Sequence, residues 1–230
     1  MGVFSAPPPP PASPPPTVPS LLTGFNTACA LLIAPIFFKL STALLRGLGL
    51  LRPAIVPCDG RCVLITGCDS GFGQHLARAA REAGFDVVAA CYTEAGARHF
   101  DGAERTSAVV ADLTKAEGLA RVVAAAKLAA GSRGLHAIVN NAGLCLPGNI
   151  EWARPSTYEA TMALNFHAPV ALTYELLPAL KAARGRVINV TSVDGFMALP
   201  TNAAYNASKH ALEAYSDTLR CEMLPWGVQW

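Results

Sequence analysis

Charge is scarce in this sequence, and its first quarter contains no acidic residue. Only 15% of the 230 residues are charged, and the formal net charge is +2. Residues 1–58 hold Lys39, Arg46 and Arg52 and no Asp or Glu, which leaves 15 basic and 16 acidic residues in the remainder. No basic stripe and no basic run interleaved with aromatics is present, so the footprint of a nucleic-acid-binding protein is absent. A hydrophobic content of 52% excludes a chain that is disordered throughout.

The sequence also lacks the cysteine pattern of a disulfide-rich or zinc-binding protein. Its seven cysteines are odd in number and scattered, whereas a disulfide framework needs even, clustered spacing in a short secreted chain. Cys58 and Cys62 are the one close pair, and the five histidines are as dispersed as the cysteines. We therefore predict no structural metal.

Proline is concentrated at the start of the chain. Nine of the 18 prolines fall between Pro7 and Pro19. Because proline lacks a backbone donor and fixes φ, such a stretch favours an extended, polyproline-like conformation. We predict a disordered, proline-rich leader over residues 1–20.

A long apolar region follows this leader. Leu21 to Phe38 is mostly apolar and would span about 27 Å as a helix, close to the ~30 Å of a bilayer core. A second apolar segment runs from Leu40 to Leu51. We predict a membrane anchor over residues 21–52; a helix that packs on the following domain is the alternative. The basic residues follow the first apolar run, so by the positive-inside rule the rest of the chain would lie in the cytosol. We expect the anchor to be in the endoplasmic reticulum membrane; a mitochondrial location is the alternative.

From Arg61 onward, short apolar runs alternate with helical patterns. The predicted strands are Cys62–Thr66, Asp86–Cys91, Ser107–Ala111, Ala137–Asn140 and Arg186–Val190. The predicted helices are Gln74–Ala83, Lys115–Ala130, Ser156–Ala183 and Ala203–Met223. This alternation predicts an α/β domain over residues 59–230, with a doubly wound parallel sheet between two layers of helices, a Rossmann-like arrangement.

The first predicted strand runs directly into a glycine-rich turn. Thr66–Gly73 has the spacing G-x3-G-x-G and stands immediately before a predicted helix. The free N–H groups of a helix N-terminus bind pyrophosphate, and glycine lets the backbone come close to it. Three glycines can also be simple turn chemistry, but the first βα turn is where dinucleotides bind.

A tyrosine and a lysine share one face of the last predicted helix. Tyr205 and Lys209 are four residues apart. A phenol has a pKa near ~10, and a neighbouring ammonium lowers it towards neutrality, which would make the tyrosine a general acid/base. An ordinary solvated pair is the alternative.

Polar residues follow the fourth and fifth predicted strands. Ser192 stands just after the fifth strand, and Asn140–Gly143 ends the fourth. In open α/β sheets these carboxyl ends bind ligands. Asn165 lies within a predicted helix between two apolar residues, which favours a specific hydrogen-bonding role; a helix bend bonded to its own backbone is the alternative.

These motifs, in this order and spacing, resemble the short-chain dehydrogenase/reductase family over about residues 61–229. The turn Ile65–Gly73 is similar to the branch that contains retinol, hydroxysteroid and 3-hydroxybutyrate dehydrogenases. The resemblance implies that Tyr205 is the acid/base, that Ser192 holds the substrate oxygen and that Asn165 positions a proton-relay water. It implies that Lys209 binds the nicotinamide ribose and lowers the pKa of Tyr205.

The same resemblance implies a nicotinamide cofactor. Its binding set, beside Tyr205 and Lys209, would be Thr66, Gly67, Ser70, Gly71, Phe72, Gly73, Glu94, Asp112, Asn140, Ala142 and Gly143. We expect NAD, because no Lys or Arg lies in Thr66–Gly73 or at Cys91–Thr93, and because Glu94 could bind a ribose diol. Arg98 is the residue that could reverse this preference.

The function implied is the interconversion of an alcohol and a carbonyl on a lipophilic substrate, a retinoid or a steroid. A 3-hydroxybutyrate-type dehydrogenase is an alternative. Family members continue beyond Gly227–Val228, so we expect a domain that lacks its last strands, with strand five left without a neighbour. A non-catalytic product that binds cofactor or dimerises, and an unstable fragment, are then further alternatives. The resemblance also implies a homodimer, or a heterodimer with full-length relatives.

Overall fold

Five parallel strands form a single sheet, as the alternating sequence pattern predicts. They are β1 (Cys62–Thr66), β2 (Asp86–Cys91), β3 (Thr106–Val110), β4 (Leu135–Asn140) and β5 (Arg186–Asn189). Their order across the sheet is β3-β2-β1-β4-β5. The α/β, Rossmann-like fold class is therefore confirmed, and the strand order reverses between β1 and β4.

Six helices connect or follow these strands. They are α1 (Gly71–Glu82), α2 (Glu94–Ala97), α3 (Ala116–Ala130), α4 (Pro155–Met162), α5 (Ala168–Ala183) and α6 (Ala203–Met223). Short 3₁₀ turns lie at Arg98–Phe100, Gly131–Arg133, Val193–Gly195 and Leu224–Trp226. The single helix predicted over Ser156–Ala183 is wrong in one respect: a π-helical turn, Ala163–His167, separates α4 from α5.

Alternate residues of each central strand supply two separate cores. Leu64 and Val88 face one side of the sheet, where α3, α5 and α6 pack with Val122, Leu176 and Leu219. Ile65 and Ala89 face the other side, where Ala77 of α1 and Phe100 pack. Burial on both faces explains why the strands are continuous apolar runs.

The structure, a computed structural model, describes residues 58–229, so the predicted leader (1–20) and anchor (21–52) lie outside the described residues. Within residues 58–229 no helix is long and apolar enough to cross a membrane. The same range holds no group of three or more His, Cys, Asp or Glu that could bind a metal ion. In the same range Cys62, Cys68, Cys91, Cys145 and Cys221 are free thiols.

Strand β5 pairs with β4 over its whole length, and its opposite edge is paired only at its start, where Arg186 forms a parallel bridge with Gln229. The Val187 backbone N–H donates to the Gln229 carbonyl at 2.8 Å, and the Gln229 N–H donates to the Gly185 carbonyl at 2.8 Å. Val228 is fully buried beside them, whereas Ile188, further along β5, is half-exposed. The prediction that strand five has no neighbour is therefore wrong for its first half, because the residues after Gly227 return to pair with it.

Candidate active site

The loops after β1 and β4 meet at the reversal of strand order and are tied together by hydrogen bonds. The Thr66 hydroxyl accepts from the backbone N–H groups of Asn141 and Ala142, each at 3.0 Å. The Asn141 side-chain amide donates to the Thr66 carbonyl at 2.9 Å and to the Gly67 carbonyl at 3.3 Å. The sequence indicates Asn141 only as part of the Asn140–Gly143 motif and does not predict that its side chain fixes the glycine-rich turn.

The glycine-rich turn needs glycine for two different reasons. Gly67 has φ +71°, and a Cβ there would lie 2.8 Å from the Ala142 Cα. Gly73 has an ordinary helical φ, but a Cβ on it would lie 2.1 Å from the Gly67 carbonyl oxygen. Gly71 has φ +58° and open space around it. The turn therefore places the start of α1 directly against the end of β1.

A cavity of about 700 Å³ opens at these strand ends. Its wall includes five predicted cofactor residues, namely Gly67, Ser70, Asp112, Ala142 and Gly143. The other eight lie outside the wall: Thr66, Gly71, Phe72, Gly73, Glu94, Asn140, Tyr205 and Lys209. Of these, Thr66 and Gly73 hold the glycine-rich turn in place through their contacts with Asn141 and Gly67, whereas Phe72 and Glu94 are exposed to solvent.

Asn140 lies inside the fold rather than at the cavity. Its side-chain amide donates to the Asn189 Oδ1 at 2.8 Å and to the Thr173 hydroxyl at 3.4 Å. The Asn189 amide in turn donates to the Ser216 hydroxyl at 2.8 Å. Asn140 thus joins β4 to β5 and α5, so any support that it gives to a cofactor is indirect.

Asp69 is a cavity residue that the sequence reasoning missed. Its Oδ2 accepts from the Tyr92 backbone N–H at 2.7 Å. Its Oδ1 accepts from the Thr93 N–H at 2.8 Å and from the Thr93 hydroxyl at 2.7 Å. Partial burial raises the pKa of this carboxyl, but the hydrogen bonds from Tyr92 and Thr93 outweigh burial and hold the pKa below its usual range.

Asp112 is the second carboxylate of the cavity wall. It follows β3 and accepts from the Thr114 N–H at 2.9 Å and the Thr114 hydroxyl at 2.7 Å. These two bonds lower the pKa of Asp112. Both carboxylates are therefore ionised at neutral pH.

Lys209 is buried beside the predicted acid/base. Its Nζ donates to the Val190 carbonyl at 2.7 Å and lies 5.5 Å from the centroid of the Tyr205 ring. Burial lowers the pKa of this ammonium. A lysine held inside the fold is not the ordinary solvated partner that was the alternative interpretation of the pair.

Ser192 begins the short turn that packs against α6. Its Oγ accepts from the Asp194 backbone N–H at 3.2 Å. A Cβ on Gly195 would lie 3.3 Å from the Lys209 carbonyl. The end of β5 therefore brings Ser192 to the part of α6 that carries Lys209.

A chain of contacts that the sequence did not indicate links three loops at this edge. The buried Asp194 carboxylate accepts from the Asn202 side-chain amide at 3.1 Å. The Cys145 thiol donates to the Asn202 Oδ1 at 3.8 Å, and the Gly148 N–H donates to the Thr201 carbonyl at 2.7 Å. These bonds fix the loops after β4 and β5 to the start of α6, three residues before Tyr205.

Asn165 lies in the π-helical turn and is buried. Its amide donates to the Leu144 carbonyl at 2.9 Å and to the Ser208 hydroxyl at 3.0 Å, and its Oδ1 accepts from the Leu144 N–H at 2.9 Å. The alternative of a helix bend bonded to its own backbone is wrong, because these partners are 21 and 43 residues away. A Cβ at Gly143 would lie 3.3 Å from Asn165 Oδ1 and 3.8 Å from Lys209 Nζ, so these groups adjoin the cavity wall.

Replacing Asn165 by Ala should lower the free energy of unfolding by roughly 1–2 kcal/mol, because the polar groups of Leu144 and Ser208 lose their partner. Urea unfolding followed by circular dichroism measures the change. Asn149→Ala, at an exposed asparagine of the adjoining loop, is the matched control and should stay within about 0.5 kcal/mol of the parent. Equal losses in the two variants would contradict the structural role of Asn165.

Comparison with known proteins agrees with this geometry. Residues 61–230 match the short chain dehydrogenase family model. Retinol dehydrogenase 7 of Rattus norvegicus and 17-beta-hydroxysteroid dehydrogenase type 6 of Bos taurus are each 39% identical over 181 residues, which cover 77% of this chain and 57% of those proteins. The chain thus spans little more than half the length of these curated relatives.

A solved structure shares the fold as well. The 3-ketoacyl-(acyl-carrier-protein) reductase from Brucella melitensis, complexed with NADH, superposes with a TM-score of 0.69 at 29% identity. The match covers 74% of this chain and 73% of that one. On the family match and this shared architecture, the chain belongs to the short-chain dehydrogenase family.

Proposed function

We propose that this protein is an NAD-dependent oxidoreductase that interconverts an alcohol and a carbonyl on a lipophilic substrate, a retinoid or a steroid. The observation that carries the proposal is the placement of buried Lys209 beside Tyr205, next to a dinucleotide-sized cavity. Relatives named as retinol and 17-beta-hydroxysteroid dehydrogenases support the choice of substrate class.

The cavity has the features that a dinucleotide requires. The N-terminus of α1 opens beside it, and no side chain caps the free N–H groups there, since the Ser70 hydroxyl makes no capping bond. Such a terminus favours pyrophosphate. The absence of a Cβ at Gly67 lets the glycine-rich turn pack against Ala142 at the base of this site. Bound there, the nicotinamide cofactor would supply the hydride acceptor.

The side chains around Tyr205 would handle the proton and the substrate oxygen. During oxidation the Tyr205 phenolate takes the proton of the substrate alcohol, and during reduction the Tyr205 hydroxyl gives it back. The Lys209 ammonium stabilises the phenolate form, and its bond to the Val190 carbonyl fixes its position. The Ser192 hydroxyl holds the substrate oxygen in place. Asn165 fixes the Leu144 backbone beside these groups.

The loops at the mouth of the site favour an apolar substrate. Residues 144–152 and 193–202 are joined through the Gly148–Thr201 hydrogen bond. They carry seven large apolar side chains that are substantially exposed: Leu146, Ile150, Trp152, Val193, Phe196, Met197 and Leu199. Neither loop contains a Lys or Arg to pair with a carboxylate substrate. This composition favours a retinoid or a steroid over 3-hydroxybutyrate.

The test is turnover by the purified chain with NAD⁺ and each substrate class. We expect NADH absorbance at 340 nm to rise with a retinol or a hydroxysteroid and not with 3-hydroxybutyrate. Ser192→Ala should lower kcat by about 10²-fold or more, since the substrate oxygen loses its donor. NADH binding without any turnover would favour the non-catalytic alternative, and an absence of both would reject the proposal.

We further propose association with the endoplasmic reticulum membrane through residues 21–52, with the catalytic domain in the cytosol. The basic residues after the first apolar stretch support this orientation. Two sequences, Asn189–Thr191 and Asn206–Ser208, have the N-x-[ST] pattern of a glycosylation site. Both asparagines are bonded within the fold: the Asn189 amide donates to the Ser216 hydroxyl, and the Asn206 amide donates to the Leu199 carbonyl. Protease accessibility in intact microsomes is therefore a better test than glycosylation.

For assembly we propose a dimer formed through α5 and α6, with a second copy or a full-length relative. Tyr174 on α5 is largely exposed, so this helix presents an apolar side chain to solvent. Light scattering of the purified protein measures the mass directly. A monomer at all concentrations would reject this assembly.

A further inference from the structure

The carboxylate of Asp69 belongs by sequence to the turn after β1 but lies at the end of β2. It spans the gap through its three bonds to Tyr92 and Thr93, which follow β2 directly. Asp69, Tyr92 and Thr93 all form part of the cavity wall. The carboxyl end of β2 is where dinucleotide-binding folds recognise the adenosine ribose, usually with an acidic residue of that strand end.

On the basis of the proposed function, we propose that Asp69 selects NAD over NADP by placing its carboxylate where the 2′-phosphate of NADP would lie. A carboxylate has about four lone-pair sites, and three are taken by the bonds to Tyr92 and Thr93. Oδ2 receives one of these bonds, so it can still accept from a ribose hydroxyl. A 2′-phosphate in the same place would bring a second, larger negative charge against the carboxylate.

The rest of the cavity wall has no cation to relieve that repulsion. Its described residues include two carboxylates, Asp69 and Asp112, and neither Lys nor Arg. Arg98, which could have favoured NADP, is exposed in the 3₁₀ turn after α2 and is not part of the wall. The negative charge therefore acts on the nucleotide without a compensating partner in the wall.

Glu94, the acid that the sequence suggested for this role, is placed differently. It is the first residue of α2, exposed to solvent and outside the wall. Asp69 instead reaches the start of α2 from the cavity side, since a Cβ on Gly96 would lie 2.4 Å from its Oδ1. Glu94 is close in sequence to the end of β2, and Asp69 reaches the same strand end from the turn after β1, but of the two only Asp69 forms part of the cavity wall.

Asp69 also has a structural role, because its three bonds hold the β1 and β2 loops together. The experiment must separate loss of charge from loss of this connection. Asp69→Asn keeps the size of the side chain and one carbonyl oxygen but removes the charge. Glu94→Gln is the matched control, since it removes the same charge from a neighbouring exposed position.

Binding of NADH and of NADPH is measured by quenching of tryptophan fluorescence on the full chain, which requires no turnover. We expect the unaltered protein to bind NADH at least roughly tenfold more tightly than NADPH, and Asp69→Asn to reduce that ratio by roughly tenfold, mainly through tighter NADPH binding. Glu94→Gln should leave the ratio within about twofold. If Glu94→Gln changed the affinity ratio and Asp69→Asn did not, or if Asp69→Asn weakened the binding of NADH and NADPH equally, Asp69 would act only as a structural connection.

A second measurement covers the case in which Asp69→Asn does not fold. Repulsion between charges weakens as salt screens it, whereas a steric barrier does not. The NADH preference of the unaltered protein should therefore fall between 0.05 and 0.5 M KCl, and a constant ratio would overturn the proposal. Equal affinities for the two nucleotides would overturn this inference alone, and failure to bind either would overturn the proposed function with it. NADH preference without turnover would reject only the proposed reaction.

Discussion

Replacing Tyr205 by Phe is expected to lower kcat by about 10²- to 10⁴-fold, because the hydroxyl that exchanges the substrate proton is lost. The phenylalanine ring keeps the apolar contact near Lys209, whose Nζ lies 5.5 Å from the ring centroid. The affinity for NADH and the free energy of unfolding should therefore change little. Steady-state kinetics with the best substrate, together with an NADH titration, separates these quantities.

Tyr174→Phe is the matched control for this variant. Tyr174 is 74% exposed on α5 and lies outside the cavity wall. Its replacement should leave kcat, KM and NADH affinity unchanged. If Tyr205→Phe retained turnover within about threefold of the parent, another group would have to carry the proton and the proposed role of Tyr205 would be wrong.

Replacing Gly73 by Ala is expected to weaken NADH binding by at least roughly tenfold and to lower the free energy of unfolding by about 2–3 kcal/mol. The added Cβ would meet the Gly67 carbonyl oxygen at 2.1 Å, and the Asn141 Nδ2 at 2.6 Å. A backbone carbonyl cannot move aside without displacing the whole turn, so the wall formed by Gly67 and Ser70 moves with it. Isothermal titration with NADH and chemical denaturation measure the two effects.

Gly102→Ala is the control that separates this steric clash from the backbone strain that any non-glycine residue has at a positive φ. Gly102 has φ +67° in the loop before β3, and a Cβ there would have open space around it. It should cost about 1 kcal/mol of stability through its backbone conformation and leave NADH affinity unchanged. Similar NADH affinities in the Gly73 and Gly102 variants would contradict the close packing of α1 on the turn.

Most of the sheet and its order of elements could be predicted from the sequence. Strands β1 and β2 and helix α6 have the predicted bounds, and β3 is displaced by one residue. These segments are distinguished by apolar periodicity and by glycine or proline at their ends, which are local properties. The sequence does not predict the π-helical turn at Ala163–His167. Asn165 in that turn bonds to Leu144 and Ser208, which are 21 and 43 residues away, and a local pattern does not indicate such distant partners.

Within the candidate site, the residue types were predicted better than their positions. Lys209 and Tyr205 are adjacent, as their helical spacing requires, and the short turn that Ser192 begins packs against the Lys209 backbone through Gly195. Asn140 is predicted to support the cofactor from β4, and in the structure its side chain joins β4 to β5 and α5. The position of Glu94 just after β2 favours it as the ribose-binding acid, yet the carboxylate that reaches the end of β2 in the cavity wall belongs to Asp69.

The sequence by itself determined the alternation of strands and helices, the glycine-rich turn and the set of chemically competent side chains. Hydrophobic period, backbone freedom at glycine and side-chain chemistry are all properties of short segments. Only the tertiary structure decided which acid faces the nucleotide cavity and which asparagine fixes a loop. Those choices depend on hydrogen bonds of about 3 Å between segments that are 20 or more residues apart in the sequence. The conformational preferences of short segments do not predict such contacts.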